Sequence, residues 1–82
     1  MPLYLDMHDV AGASAKDVAG AHAKDVAIQK KHGARFVKYW HDEKAGKVFC
    51  LCEAPSAEAA RAVHREAHGL MPDSIFEVEQ HD

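Results

Sequence analysis

RFVKYWHDEKAGKVFCLCE, residues 35–53, reads as two strands around a tight turn. Phe36, Val37, Tyr39 and Trp40 are strand formers, and Asp42-Glu43-Lys44-Ala45-Gly46 supplies the turn chemistry. Lys47–Glu53 returns as an apolar second strand, so the stretch is a hairpin. A helix flanks it on each side. Upstream, Ser14 with Asp17 resembles an N-capping arrangement, and helical residues continue to Lys31 before His32-Gly33 stops them. AKDVA occurs at Ala15 and again at Ala23, an Ala-rich echo at no helical period. Downstream, Pro55-Ser56 opens a second helix that Gly69 closes after His68. The two ends are strands. Leu3–His8 alternates, with Leu3, Leu5 and Met7 on one face and Tyr4, Asp6 and His8 on the other. After the Pro72-Asp73 turn, Ser74 to Glu79 alternates again.

The order is therefore β-α-β-β-α-β, the ferredoxin-like split βαβ pattern. It implies an α+β sandwich: an antiparallel sheet with two helices on one face. At 82 residues, 48% hydrophobic and 28% charged, the chain is expected to be one folded domain over residues 1–82. A domain of this size buries only about 60% of its unfolded surface, and pairing with a second copy is the natural remedy. Cys50 and Cys52 share one strand face, where such pairs seldom close a disulfide, so reduced thiols and the cytoplasm are expected. Ten Lys and Arg against 13 Asp and Glu give a net charge of −3, which speaks against nucleic acid as partner. The uncharged stretch Val10 to Ala15 is far too short to span a bilayer, and nothing resembles a secretory signal. Neither Ser-His-Asp order, a Gly-rich phosphate loop nor a dinucleotide fingerprint is present.

The anomaly is seven histidines. On a helical wheel Lys16, Asp17, Lys24, Lys30 and Lys31 form the solvent side of the first helix. Opposite stand Ile28, Ala21, Val18, Ala15, Val26 and Ala19, with His22, Asp25 and Gln29 in their midst. The plain reading is a core histidine hydrogen-bonded to Asp25 or to a strand. The functional reading is a pocket with His22 as base or ligand and Asp25 as its orienting partner. In the second helix His64 and His68, at i and i+4, can chelate a metal; the wheel puts them at the edge of the core stripe, partly exposed. Glu66 points away from them, so the metalloprotease pattern is absent. His8 shares a strand face with Asp6, and His41-Asp42-Glu43 is a further cluster at the hairpin. His32 and His81 are helix-end and chain-end residues. Cys50 offers a thiolate, although Cys-x-Cys between Phe49 and Leu51 more often fills a core. Such donors favour a borderline transition metal: nickel, zinc, copper or cobalt.

The segments Tyr39-Trp40-x-Asp42-Glu43, Cys50-Leu51-x-Glu53-Ala54-Pro55 and His64-Arg65-Glu66-Ala67-His68-Gly69-Leu70, with Tyr4-x-Asp6-x-His8 and Ala21-His22-x-x-Asp25, resemble a family of small bacterial ferredoxin-like proteins. That family was formerly classed as a domain of unknown function and includes a nickel-binding member of similar length. The resemblance spans Tyr4 to Val78. It implies a homodimer, an extra short strand in some members, and sequestration or detoxification of Ni²⁺ through surface histidines in place of catalysis. His8, His22, Asp25, Cys50, His64 and His68 fall on the family's motif positions, and Cys52 departs from its usual pattern. The expected ligands are His8, His22, His64 and His68, with Asp25, His41 and Cys50 behind them. Exposed histidines bridging between copies would give metal-induced higher assembly. The competing class is a cofactor-free monooxygenase or isomerase of the dimeric α/β-barrel kind, with His22 and Asp25 as acid/base pair and a cavity shaped by Tyr39 and Trp40. A pocket of a few hundred Å³ converging on His22 would favour it.

Overall fold

The computed structural model describes all residues, 1–82. Strand β1 (Leu3–Asp9) leads into helix α1 (Ala15–Ile28), followed by a 3₁₀ turn over Gln29–His32. Strands β2 (Arg35–Asp42) and β3 (Lys47–Glu53) form the hairpin, and helix α2 (Ala57–Ala67) precedes β4 (Ser74–Val78). The sheet order is β2-β3-β1-β4 with every neighbouring pair antiparallel, which is the ferredoxin-like arrangement. No fifth strand forms: regular structure ends at Val78.

Local chemistry sets the helix starts. Ser14 accepts from the Asp17 amide while the Asp17 carboxylate accepts from the Ser14 amide, a complete capping box. Ser56 caps α2 by accepting from the Ala59 amide. Both helices then lie on the same face of the sheet, over Tyr4, Asp6 and His8 of β1 and Val48, Cys50 and Cys52 of β3, all buried. Strand alternation makes this possible, because residues two apart project to the same side.

Strand β2 breaks that alternation once. Its register slips between Phe36 and Lys38, leaving Val37 as the extra residue of a bulge. Unbroken alternation from Phe36 would aim Lys38 and Trp40 into the core. The bulge instead pairs Tyr39 with Cys50 and His41 with Val48 on the inner face, while Lys38 and Trp40 turn outward opposite Leu51 and Phe49. The outer face of the sheet is thus apolar, with Trp40 48% and Phe76 59% exposed.

Helix α1 buries a narrower stripe than the wheel suggests. Val18 and Asp25 are buried and Ala21, His22, Ile28 and Gln29 partly so, whereas Ala15, Ala19 and Val26 face solvent. The stripe runs at i, i+3, i+4 and i+7 because α1 meets the sheet along one line of contact. Gln29 closes it, accepting from the Phe36 amide at 2.7 Å and so anchoring the start of β2.

Candidate metal centre

Between the helices and the sheet, five side chains form one connected row: His8, Asp6, His64, Asp25 and His68. Strand β1 contributes Asp6 and His8, one step apart on the inward face. Helix α1 contributes Asp25, and α2 contributes His64 and His68, one turn apart. His64 is at the centre. Its Nε2 lies 2.8 Å from Asp6 Oδ2 and its Nδ1 lies 3.0 Å from Asp25 Oδ1. His68 Nε2 also lies 3.0 Å from Asp25 Oδ1 and 3.3 Å from His64 Nδ1. At the other end His8 Nε2 approaches Asp6 Oδ1 to 3.1 Å, out of line for a hydrogen bond, so that this buried oxygen lacks a donor. Cys50 of β3, paired with Asp6 across the sheet, completes the group.

Electrostatics explain how so many polar groups survive inside. Burial alone would strip His64 of its charge, but hydrogen bonds from its ring to Asp25 and Asp6, with the attraction of both carboxylates, raise its pKa to about 9. Burial likewise works to raise Asp6 and Asp25. The hydrogen bonds and charge of His64, joined by the attraction of His8 for Asp6 and by the hydrogen bond and charge of His68 for Asp25, outweigh it and lower both. One cation between two carboxylates leaves a net negative charge in the interior, which attracts a cation. Cys50 is held as a thiol, pushed up by burial and by the neighbouring Asp6 and Asp25 charges. Both cysteines are free.

Several expected placements change. His64 is 1% exposed and the His68 side chain 7%, so neither is a surface histidine, and His8 is buried as well. The cause is the helical phase of α2: its buried stripe is Ala60, Val63 and His64, with Ala67 half-buried and the two carboxylates waiting beneath the ring. His22 does not pair with Asp25, whose Oδ1 is taken by His64 and His68. It packs instead on Tyr39, ring centroids 4.8 Å apart, and its buried Nδ1 has no partner. The supposed acid/base pair is therefore absent. His41 sits on the inner face of β2 in the same cross-strand row as His8, with Val48 between them, and joins neither donor group. Asp6 was missing from the expected ligands. Its signal was present in the alternation that sets it on one face with Tyr4 and His8.

Two sets of potential ligand atoms result: Asp6, His8, Cys50 and His64, and Asp25, His64 and His68. They border a cavity of about 40 Å³ whose walls also include Val18, His22, Tyr39 and Leu70. The space has room for an ion with a few waters. Imidazole nitrogen, carboxylate oxygen and thiol sulfur are a donor set for borderline divalent transition metals.

Fold and donors together define a small ferredoxin-like protein with a histidine–carboxylate cluster of metal-ligating type enclosed under its helices. The model of the family described as "Nickel responsive protein SCO4226-like" matches residues 4–78, and the chain belongs to that family. The crystal structure of SCO4226 from Streptomyces coelicolor A3(2) superposes with a TM-score of 0.91 at 34% identity, covering 98% of this chain and 99% of that one. No curated protein matches the sequence. No helix is long and apolar enough to cross a membrane.

Proposed function

We propose that this protein binds Ni²⁺ through Asp25 Oδ1, His64 Nδ1 and His68 Nε2, and that it sequesters the ion. The observation that carries this reading is a triangle. Its edges are 3.0, 3.0 and 3.3 Å. Metal–ligand bonds of about 2.1 Å at right angles set their donor atoms about 3.0 Å apart, so the three atoms match one face of an octahedron. All three residues line the cavity, where water could complete the shell. The family description, nickel responsive, supports the choice of ion.

One local change accompanies loading. His68 Nδ1 accepts from the Leu70 amide at 3.1 Å, which places the ring proton on Nε2. That proton must leave for Nε2 to ligate, and the exposed Leu70 can give up its hydrogen bond to let Nδ1 carry one instead. A small cavity lined by ligand-type side chains favours storage over catalysis. The free thiols suit a reducing compartment, the cytoplasm. The apolar outer sheet face is suited to a second copy, giving a homodimer with the metal sites turned away from the interface.

Titration calorimetry with Ni²⁺ on tag-free protein tests the reading. Asp25→Asn and His68→Ala should each weaken affinity at least tenfold, while His81→Ala, at the exposed chain end, should leave it unchanged. Nickel affinity no better than millimolar, or indifference to the first two substitutions, would overturn it.

A further inference from the structure

The cavity beneath the helices has one weak wall. Of the residues that line it, Leu70 alone is exposed, 51% open to solvent, whereas every other is buried or half-buried. Leu70 thus meets the cavity on one side and water on the other. It belongs to the segment Gly69–Pro72, which joins α2 to β4 and has no regular structure. Both ends of that segment are tied. Gly69 donates its amide to the His64 carbonyl at 2.8 Å, and its φ of 80° turns the chain off the helix. Asp73 donates its amide to the Met7 carbonyl at 2.8 Å, and its carboxylate accepts from the Asp9 amide at 2.7 Å. Between these ties no backbone hydrogen bond holds Leu70, Met71 or Pro72. The one bond there runs from the Leu70 amide to Nδ1 of His68, at 3.1 Å. Local opening costs least where backbone hydrogen bonds and buried apolar contacts are few.

We infer that Gly69–Pro72 is a gate over the cavity, with the Leu70 side chain as its plug, the Leu70–His68 hydrogen bond as its latch and Gly69 as its hinge. Swinging the segment outward breaks that single bond and wets a side chain already half in water. The remaining walls are helices packed on the core and strands paired along their length, which part only with the loss of many contacts. A glycine hinge can change φ and ψ where a side chain would meet steric limits. Such a gate sets how fast a solute enters and leaves, while the ligand atoms inside set how tightly it is held. It concerns passage into the cavity and not the identity of the solute, so it stands apart from the nickel reading.

The chain carries its own reporter. Cys50 lines the cavity, whereas Cys52, two residues along the same strand, is 0% exposed and does not. Methyl methanethiosulfonate, a small thiol reagent, is applied to the metal-free full chain with a chelator present, and tandem mass spectrometry follows modification at each cysteine. Cys52 reacts only when the fold opens as a whole, so the ratio of the Cys50 rate to the Cys52 rate isolates the gate. Leu70→Gly, which removes the plug, should raise that ratio about tenfold. His68→Phe, which keeps a ring but loses the acceptor, should raise it about threefold. A variant that merely loosens the fold raises both rates and leaves the ratio where it was. A ratio unmoved by Leu70→Gly overturns the gate. A ratio moved by Leu70→Gly but not by His68→Phe overturns the latch and leaves the plug. With Ni²⁺, Leu70→Gly should speed uptake and release by a common factor at unchanged calorimetric affinity. A chain that binds no Ni²⁺ yet shows the Leu70→Gly rise overturns the nickel reading and leaves the gate standing.

Discussion

His64 Nε2 and Asp6 Oδ2 stand 2.8 Å apart in the interior, each side chain only 1% exposed. A polar contact therefore docks α2 onto the central strand at a position where most domains of this size place a leucine or valine. Removing the ring leaves Asp6 and Asp25 buried without their shared cation. His64→Ala should cost about 3–5 kcal/mol, read as a shift in urea midpoint. His81→Ala, at an exposed position, should stay within about 0.5 kcal/mol. Equal effects from the two would sink the assignment of His64 as a structural cation.

The same ring sets the pH profile of the metal-free protein. Its folded pKa, about 9, lies above the ordinary 6.5, so its contribution is complete below 6.5 and disappears as pH rises through 9. Asp6 and Asp25 lie below the ordinary 3.8, so their contribution is complete above 3.8 and is lost as pH falls beneath it. Stability should peak between about pH 4 and 6.5 and decline steadily toward pH 9. Urea melts at intervals across that range, with a chelator present, check this. A profile that rises from neutral to alkaline pH is incompatible with it.

Gly46 fixes the hairpin against the β1–α1 connection. Its carbonyl accepts from the Val10 amide at 2.8 Å, its φ is 71°, and a Cβ there would fall 2.8 Å from the Ala11 Cα. Gly46→Ala combines left-handed strain with a collision against backbone, which cannot swing aside as a side chain does. The expected loss is about 2–4 kcal/mol, measured by thermal melting. Gly20→Ala, mid-helix with nothing within 4 Å of the added Cβ, should instead stabilise by about 0.5–1 kcal/mol.

The outer sheet face supplies the fourth prediction. Trp40 and Phe76 are large and about half exposed or more, beside Leu5, Leu51 and Val78. If a second copy covers them, the protein should elute at twice its chain mass, and Trp40→Asp or Phe76→Asp should shift it to the monomer. Monomeric elution of the unaltered chain at high micromolar concentration would remove the dimer from the account.

The elements were legible in the sequence because each carries its own punctuation: Ser14 with Asp17, Ser56, the Asp42–Gly46 turn and Gly69. All four sit where the structure uses them. The bulge at Val37 was not legible, since Val37 is a good strand residue and nothing local marks the slipped register. The site was half legible. His64, His68, Asp25, His8 and Cys50 do come together, and sequence spacing gave the His64/His68 turn. What the wheel could not give was phase. A wheel ranks residues by their own polarity and therefore pushed His64 toward solvent, whereas its burial is decided by partners 58 and 39 positions away. The same reasoning tied His22 to Asp25 because they share a helix face, when the closer competitors for Asp25 came from α2.

The six donor residues are spread from Asp6 near one end of the chain to His68 near the other, on two strands and both helices. An ion lodged among them would act as a removable rivet between helices and sheet, worth about 2.7 kcal/mol when free metal stands a hundredfold above the dissociation constant. Empty copies would then open more often and be cleared first by proteases, whereas loaded copies persist. The amount of protein in a cell could follow metal supply by survival alone, before any change in its rate of synthesis.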